Sequence, residues 1–436
     1  MRLLHLFHHG DLLNGVDRTT LTLLSVLQRG GHEVFAVVPN AGEVTAALER
    51  AGIEHRIAAL GCCASTAPSA QYAFLRRGSA RTQQLVDWIR EWRADAVHLN
   101  TGHLLDGAIA AARAGVPAIW HIHAPIEVDH ERYARLFGVA AYGWLLGELG
   151  ARVVAVSDDV RASLQAWVRA DRLATLFNGV DVDALETAAA SLASSDLRAE
   201  CGWPADARLV LGVGRISAQK DFAAFARVAH RVLESAPDTV FAIAGPAEDA
   251  ALAAELTAMA GASALQGRLK VLGPRSDVPA LLAQADAFMS TAVFEGHPIA
   301  VLEAMAMRRP VVAMACVGLR ECLQHDVDSL MVPPGDEAGA AEAVCRVLSD
   351  RVRAGQLGSR GRENVIARFS AQSFAAGFAS LAAEAVAGFV PGSNAAAAEL
   401  VDGLLRAVGD VGQELDEARR PSRLWTLRNR LFGARG

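Results

Sequence analysis

The chain has 436 residues, of which 52% are hydrophobic and 21% are charged, and its formal net charge is −6. This length exceeds what one hydrophobic core usually organises, so we expect two large domains and a tail. The acidic balance excludes a general attraction to nucleic acid or anionic lipid, which would need a local basic patch. The six cysteines, including the adjacent Cys62 and Cys63, lack metal-ligand spacing and indicate free thiols in a reducing compartment.

The first residues, MRLLHLFHHGD, are too short an apolar run for a secretory signal and are typical of a strand. No apolar segment is long and clean enough to span a bilayer, and the Ala-rich stretch 374–390 carries Glu384. The sequence therefore predicts a cytoplasmic protein.

The first 39 residues predict a strand at 2–8, a glycine turn, an amphipathic helix at 17–28 and a second strand at 32–39. Such a unit favours a parallel sheet with a right-handed crossover. Ligands bind at the carboxyl edge of such sheets, so the loop ending at Asn14 and Gly15 lies where a ligand is expected.

Further apolar strands are predicted at 96–99, 118–122 and 153–157. The strand 118–122 runs into a pair of histidines, His121 and His123, which alternation places on one side of the strand. Each histidine is either a satisfied core residue or a ligand at the edge of the sheet. A zinc pair is possible in principle, but no third ligand is evident.

A second series of strands opens at Arg208 with the sequence LVLGVGRISAQKD. Its strand ends at 212–214, and Arg215 and Lys220 flank the polar turn that follows. Glycine lets the backbone approach a phosphate, arginine offers a planar fork and lysine a point charge, so the turn suits a diphosphate. The plain alternative is a solvated basic turn. Lysine occurs at only two positions, here and at 270, although such a bias can reflect genome composition.

The stretch from Ser290 to Glu321 reads STAVFEGHPIAVLEAMAMRRPVVAMACVGLRE and joins a strand, a turn, a short helix and a second strand. Glu295 and Glu303 are separated by seven residues. Because proline is tolerated in the first turn of a helix, the helix should begin at Pro298 and direct unpaired backbone N–H groups at Glu295. Paired sugar hydroxyls are one partner for these carboxylates, and two surface acids on an ordinary helix are the alternative.

This arrangement resembles the glutamate, seven residues, glutamate signature of the retaining GT-B glycosyltransferases of the glycogen-synthase-like family 4 group. The resemblance covers about residues 1–388 and implies an α/β fold of two doubly wound Rossmann-like domains that face a cleft. It implies retaining transfer from a nucleotide-diphosphate sugar, with no obligatory metal or other cofactor. The expected parts are an acceptor-side domain at 1–190, a donor-binding domain at 191–366, a helix crossing back at 367–390 and a helical, basic-aromatic tail at 391–436.

The resemblance also implies roles for single residues. Glu295 and the amides that follow it would hold the donor sugar, Glu303 the ribose, and Arg275 would lie under the base. His123, which fits the family pattern better than His121, would lie beside the transferred sugar. The predicted catalytic residues are His123, Arg215, Lys220 and Glu295, and the predicted donor-site residues are Gly15, Gly214, Arg215, Lys220, Arg275, Glu295, Gly296, His297, Pro298, Ile299 and Glu303.

Three positions depart from the family pattern. Asn14 and Gly15 stand for a pair of glycines, and Asp221 stands for the glycine that usually follows the lysine. Asp221 is expected to cap the next helix instead, although it adds a negative charge near the phosphate site. Val317 replaces the first of two glycines that precede Glu321, which puts in doubt how closely this loop approaches the donor.

The chain ends in RRPSRLWTLRNRLFGARG, with six arginines, no acids and interleaved apolar side chains. Such a segment could lie on an anionic membrane surface, at the inner face of the plasma membrane, or dock onto a partner chain or its own body. The predicted acceptor is a glycan or a lipid-linked molecule in surface polysaccharide or lipopolysaccharide biosynthesis. The alternatives are a GT-B phosphorylase or epimerase, and a non-catalytic nucleotide-sugar-binding scaffold.

Overall fold

The structure is a computed structural model, which describes residues 1–12, 15–60, 68–128, 138–192 and 196–419. Its strands, β1 to β13 in chain order, are Arg2–Leu6, Glu33–Val38, Glu54–Ile57, Ala96–Leu99, Ala118–Ile122, Arg152–Ala155, Leu173–Thr175, Arg208–Val213, Thr239–Ala244, Leu269–Gly273, Ala287–Ser290, Val311–Met314 and Ser329–Val332.

The helices of the first half, α1 to α8, are Gly15–Arg29, Glu43–Arg50, Pro68–Arg76, Gly78–Glu91, Leu105–Ala114, Val139–Leu149, Asp158–Leu164 and Val182–Ser191. Those of the second half, α9 to α18, are Leu197–Cys201, Phe222–Ser235, Ala250–Gly261, Val278–Gln284, Ile299–Ala306, Leu319–Cys322, Glu337–Ser349, Arg351–Arg368, Ala371–Gly388 and Ala395–Arg419.

The strands form two parallel sheets, with the orders β3-β2-β1-β4-β5-β6-β7 and β10-β9-β8-β11-β12-β13. Successive residues of one strand enter cores on opposite faces of the sheet. Leu4 and Leu6 of β1 pack into one core, whereas Leu3 and, directly after the strand, Phe7 pack into another. Burial on both faces explains why the central strands are continuously apolar. The two doubly wound sheets predicted from the sequence are confirmed.

In each sheet the strand order reverses at one point, between β1 and β4 in the first and between β8 and β11 in the second. The crevice at the carboxyl ends of the strands beside such a point is where ligands bind in open α/β sheets. The fold therefore supplies one crevice from each half of the chain.

Two segments connect the halves, and they pair with each other. The N–H of Val180 donates to the carbonyl of Phe369 over 2.9 Å, and the N–H of Ala371 donates back over 3.0 Å. A Cβ atom at Gly179 would overlap Phe374 and the carbonyl of Ser370, so this crossing requires glycine. Helix α17 then packs on α1 and the first sheet. The exact domain boundaries stay a prediction.

Helix α18 lies on the first half of the chain, against α3, α4 and α5. Its inner face buries Ala398, Val401 and Leu405, and Arg113 of α5 pairs with Glu399 at 2.6 Å and with Asp402 at 3.0 Å. The basic segment 420–436 lies outside the described residues. Among the helices that are described, none has the length and apolar character required to cross a membrane.

The local predictions are mostly confirmed. Asp221 caps α10, since its carboxylate accepts the N–H of Ala224 over 3.0 Å. The helix after Glu295 begins one residue later than expected, because Pro298 is extended and serves as the residue before the first turn. The short strands β3 and β7 were not predicted.

Candidate functional site

One cavity of about 220 Å³ lies between the two halves, at the carboxyl ends of both sheets. Loops after β1, β4 and β5 form one wall, and loops after β8, β9, β10 and β11 form the other. The structure brings together here all but one of the residues predicted for the site, namely Gly15, His123, Gly214, Arg215, Lys220, Arg275, Glu295, Gly296, His297, Pro298 and Ile299.

Glu295 is buried on the second wall and is held by two side chains. The Lys220 ammonium contacts its Oε1, and the amide of Gln219 donates to its Oε2 over 3.2 Å. The backbone N–H of Glu295 donates to the carbonyl of Val317 over 3.0 Å. Both partners line the cavity, so an incoming charged or hydroxylated group can replace one of them as the partner of the other.

The loop around Glu295 is packed through two glycines. A Cβ atom at Gly296 would overlap the carbonyl of His123 on the opposite wall. A Cβ atom at Gly318 would overlap the carbonyl of Glu295, and the positive φ of 80° at Gly318 also favours glycine. The loop therefore stays close to the site although Val317 replaces a glycine, because the Val317 side chain is exposed.

Arg215 and Arg275 both line the cavity and both have acidic partners. Arg215 pairs with Glu248 at 2.9 Å. The guanidinium of Arg275 donates two hydrogen bonds to Glu200 and two to Asp277, over 2.6 to 3.0 Å. These carboxylates raise the pKa of Arg275, which lowers the pKa of Asp277 in turn. Four of the five N–H groups of this guanidinium are therefore used, and its flat face and one N–H of Nη1 remain for a ligand.

The structure distinguishes the two histidines at the end of β5, since His121 lies within the strand and His123 follows it. His123 lines the cavity, and its Nε2 lies 2.9 Å from Oδ1 of the buried Asn100, so Nε2 carries the proton. His121 is fully buried behind the cavity wall, with its ring 5.5 Å from that of His98 and 5.9 Å from that of Phe374.

Burial lowers the pKa of both imidazoles, to about 3 for His121, and both are neutral. In the part of the chain that the structure describes, no cluster of three or more His, Cys, Asp or Glu side chains is arranged to hold a metal ion.

Glu303 is the one predicted donor-site residue that lies off the main cavity. Ile299 and Glu303 lie one turn apart on α13, and both border a second cavity of about 150 Å³. Nη2 of Arg18, from α1 in the other half of the chain, lies 3.4 Å from each oxygen of the Glu303 carboxylate. Arg18 borders both cavities and thus stands between them.

Several residues of the first wall were not predicted. His9 lies in the main cavity, 3.1 Å from the fully buried carboxylate of Asp17. Burial raises the pKa of Asp17, and His9 lowers it. The adjacent histidines at 8 and 9, directly after a strand that ends at the carboxyl edge, were the available signal.

A further contact joins the two walls beside the cavity. The carboxylate of Glu321 accepts the N–H groups of Asp158 and Asp159 over 2.8 and 2.9 Å. The N–H of Gly318 donates to the Asp159 carboxylate over 3.2 Å. We call these three hydrogen bonds the Glu321 clasp.

Comparison with protein families gives two matches that divide the chain as the two sheets do. Residues 13–184 match a family described as "Glycosyltransferase Family 4", and residues 207–350 match one described as "Glycosyl transferases group 1".

Two characterised bacterial enzymes illustrate the similarity. The chain is 31% identical over 296 residues to the alpha-maltose-1-phosphate synthase of Mycolicibacterium smegmatis, covering 64% of this chain and 76% of the relative. It is 26% identical over 355 residues to the UDP-Gal:alpha-D-GlcNAc-diphosphoundecaprenol alpha-1,3-galactosyltransferase of Escherichia coli, covering 78% of this chain and 86% of the relative.

Among solved structures, Anabaena Alr3699/HepE in complex with UDP-glucose has the same fold. It superimposes with a TM-score of 0.73 at 21% identity and covers 88% of this chain and 100% of its own. The two family matches, the similarity to the mycobacterial synthase and the cavity between two doubly wound sheets all indicate the same family. The chain therefore belongs to glycosyltransferase family 4 of the GT-B fold and transfers a sugar from a nucleotide-sugar donor.

Proposed function

We propose that this enzyme transfers a sugar, with retention of its anomeric configuration, to a glycan or lipid-linked acceptor in the assembly of a surface polysaccharide or lipopolysaccharide. One observation carries the catalytic part of the proposal. Lys220 and Glu295 are in contact beside Arg215, and His123 faces them from the opposite wall of one cavity.

In this proposal Arg215 and Lys220 bind the diphosphate and stabilise the charge that develops as it leaves. Lys220 then turns from Glu295 to phosphate, and Glu295 becomes free to accept hydrogen bonds from donor hydroxyls. The N–H groups at Gly296 and at the start of α13 complete the sugar site. The ring of His297 packs between Phe177 and Phe369, with centroids 5.2 and 5.1 Å away, so its backbone would make the donor contact.

The charges around the cavity favour a front-face route. Among the described residues that line it, Glu295 is the one carboxylate, and Lys220 holds it on the donor wall. In this route the bond from the anomeric carbon to the diphosphate oxygen breaks as the bond to the acceptor oxygen forms on the same face. The acceptor proton passes to the departing phosphate. His123, neutral and fixed by Asn100, would hydrogen-bond the transferred sugar.

The acceptor assignment rests on relatives and on the surface of α18. The Escherichia coli relative is named for a diphosphoundecaprenol acceptor, which is lipid-linked. The outer face of α18 carries four apolar side chains that are 38% to 56% exposed, namely Leu400, Leu404, Val408 and Val411. This helix leads directly into the arginine-rich segment, and each arginine near an anionic bilayer contributes about 1 kcal/mol. We therefore include reversible contact with the inner membrane face in the proposal.

The test of the reaction is a transfer assay with a panel of nucleotide sugars, followed by NMR of the anomeric configuration of the product. The variant Glu295→Gln should reduce transfer by about 10²-fold or more, as loss of a group that holds the transition state does. The control Glu234→Gln makes the same change on the exposed face of α10 and should leave transfer unaltered. Background-level turnover in the unmodified enzyme would instead favour a binding scaffold, and an inverted product would refute retention.

The membrane part has a separate test. Vesicles that contain roughly 30 mol% anionic lipid should sediment together with the full chain. The chain should be released in 0.5 M salt, where the screening length falls to about 4 Å. Removal of residues 420–436 should abolish capture while donor hydrolysis persists. Equal sedimentation of the full and the shortened chain would mean that the membrane contact lies outside residues 420–436.

A further inference from the structure

Glu303 is a buried carboxylate with an unusual partner. It is 7% exposed, and among the described residues its hydrogen-bond partner is Arg18, whose Nη2 lies 3.4 Å from both oxygens. Charge-assisted hydrogen bonds of this kind are usually about 2.7 to 2.9 Å long. The longer contact leaves the lone pairs of the carboxylate available to a closer donor.

The pair also spans the cleft. Arg18 lies in the first turns of α1, directly after the loop that ends at Gly15, whereas Glu303 lies on α13 in the other half of the chain. Separation of the two halves would remove Arg18 from Glu303. The ion pair, and the orientation that it gives the carboxylate, therefore exist only while the two halves are in contact.

We propose that Arg18 is a positioning residue for the donor nucleotide, which reaches across the cleft and orients the Glu303 carboxylate toward the ribose diol. This inference rests on the proposed function, since the assignment of Glu303 to the ribose belongs to the proposed donor site. It adds a residue from the acceptor-side half of the chain to donor recognition. The full affinity for the ribose would then be reached only when the cleft is closed.

The chemistry requires the cation. Two ribose hydroxyls donate their strongest hydrogen bonds to a carboxylate that is ionised. Burial raises the pKa of Glu303 and Arg18 lowers it, so loss of Arg18 favours the protonated acid, which accepts hydrogen bonds less well. The effect should therefore fall on the hydroxyls of the ribose and not on the base or the phosphates.

A matched control lies on the same helix. Arg29, at the end of α1, also makes a 3.4 Å ion pair across to Asp181, but its side chain is 61% exposed. An exposed pair contributes little, whereas the side chain of Arg18 is 33% exposed and that of its partner Glu303 is 9% exposed.

The experiment measures calorimetric affinities for UDP and for its 2′,3′-dideoxy analogue, or for the GDP pair if the unmodified enzyme prefers GDP. The unmodified enzyme should bind the ribonucleotide about tenfold more tightly than the dideoxy analogue, as expected for hydrogen bonds to a charged group. Arg18→Gln should reduce this ratio to about twofold, and Arg29→Gln should leave it at about tenfold. Glu303→Gln should give the same loss as Arg18→Gln, and the double variant no further loss.

The outcomes distinguish the role of Arg18 from the ribose role of Glu303. If Arg18→Gln weakens both nucleotides equally and keeps their ratio, Arg18 acts on the phosphates or as a strut, and the inference is wrong while the ribose role of Glu303 stands. If the unmodified enzyme shows no preference for the ribonucleotide, the ribose assignment itself fails. Should Arg18→Gln not fold, Arg18→Lys retains the charge without the planar fork, and its ratio should lie between the two.

Discussion

The two walls of the cleft solve the same problem of burial with different chemistry. On the second wall every cation described at the cavity has an acidic partner, as in the pairs Lys220–Glu295 and Arg215–Glu248. On the first wall the one cation described is Arg18, which pairs with Glu303, and the other polar side chains include three imidazoles, of which His123 is kept neutral because burial lowers its pKa. An anionic diphosphate suits the charged wall, and an acceptor that presents hydroxyls suits the neutral one.

The difference also indicates which contacts would change when the donor binds. A buried cation with an acidic partner can exchange that partner for phosphate at small electrostatic cost, because the site is charged before and after binding. A neutral imidazole held by an amide keeps its protonation state through the reaction. In the proposed reaction the charged wall would therefore exchange partners, whereas the imidazoles of the other wall would keep their charge state.

The largest expected effect comes from removing the switching cation. Lys220→Ala should lower kcat by about 10²- to 10³-fold, because Lys220 is the ammonium proposed to stabilise the leaving diphosphate. The matched control is Lys270→Ala, which removes the other lysine of the chain, an exposed residue of β10. Steady-state transfer rates at saturating donor measure both. A loss below tenfold for Lys220→Ala would contradict the division of roles between the walls.

The second effect tests the neutrality of the buried imidazoles through stability. The folded chain keeps His5, His103 and His121 unprotonated down to about pH 3. The unfolded chain takes up protons as the pH falls below about 6.5, so acid favours unfolding. Each such imidazole should lower the free energy of unfolding by about 2 kcal/mol when the pH falls from 6.5 to 5.

The variant His121→Leu removes one of these groups, and between pH 6.5 and pH 5 it should lose about 2 kcal/mol less unfolding free energy than the unmodified chain. Denaturant unfolding at the two pH values measures the change. His230→Leu makes the same substitution on α10, where the imidazole is 52% exposed, and is the matched control. An unchanged slope in His121→Leu would mean that His121 is not kept neutral by the fold.

The third effect separates the roles of His121 and His123 at the end of β5. His123→Gln should lower kcat/KM by about tenfold, equivalent to about 1.4 kcal/mol, because it removes the ring that the proposal places against the transferred sugar. His121→Gln should change kcat/KM less than twofold once folded, since His121 lies behind the wall. Initial rates at low donor concentration measure both, and a larger loss in His121→Gln would reverse the assignment.

The positions of site residues that directly follow an apolar strand were predicted well. Contacts that depend on how the two halves pack against each other were not predicted. The turn after Gly214 and the stretch from Glu295 follow buried apolar strands, so their position at the carboxyl edge follows from the pattern. The contact of Arg18 with Glu303 joins residues far apart in sequence, and only the closed cleft brings them together. Strands β3 and β7 were missed because EHRI and LAT are short and only partly buried, and carry no apolar run.

The histidine pair shows what strand alternation alone does not decide. Strand alternation predicts that His121 and His123 share one side, and their rings indeed lie 4.5 Å apart. The strand ends at Ile122, however, so the chain carries His123 beyond the sheet edge into the cavity while His121 stays in the core. Position relative to the end of a strand, which a pattern locates only within a residue or two, decides which histidine meets the ligand.

The smallest effect concerns what keeps the two walls together. The Glu321 clasp places a carboxylate of the second wall on two N–H groups of the first, and both hydrogen bonds are partly open to water. Glu321→Ala should therefore cost about 1 kcal/mol of closure and raise the donor KM about fivefold with kcat nearly unchanged. The reason is that closure precedes chemistry, and a donor-bound enzyme at saturation is already closed. Glu234→Ala on the exposed face of α10 is the control. If kcat fell instead and KM stayed constant, Glu321 would act in the chemical step, and the walls would be joined by something other than this clasp.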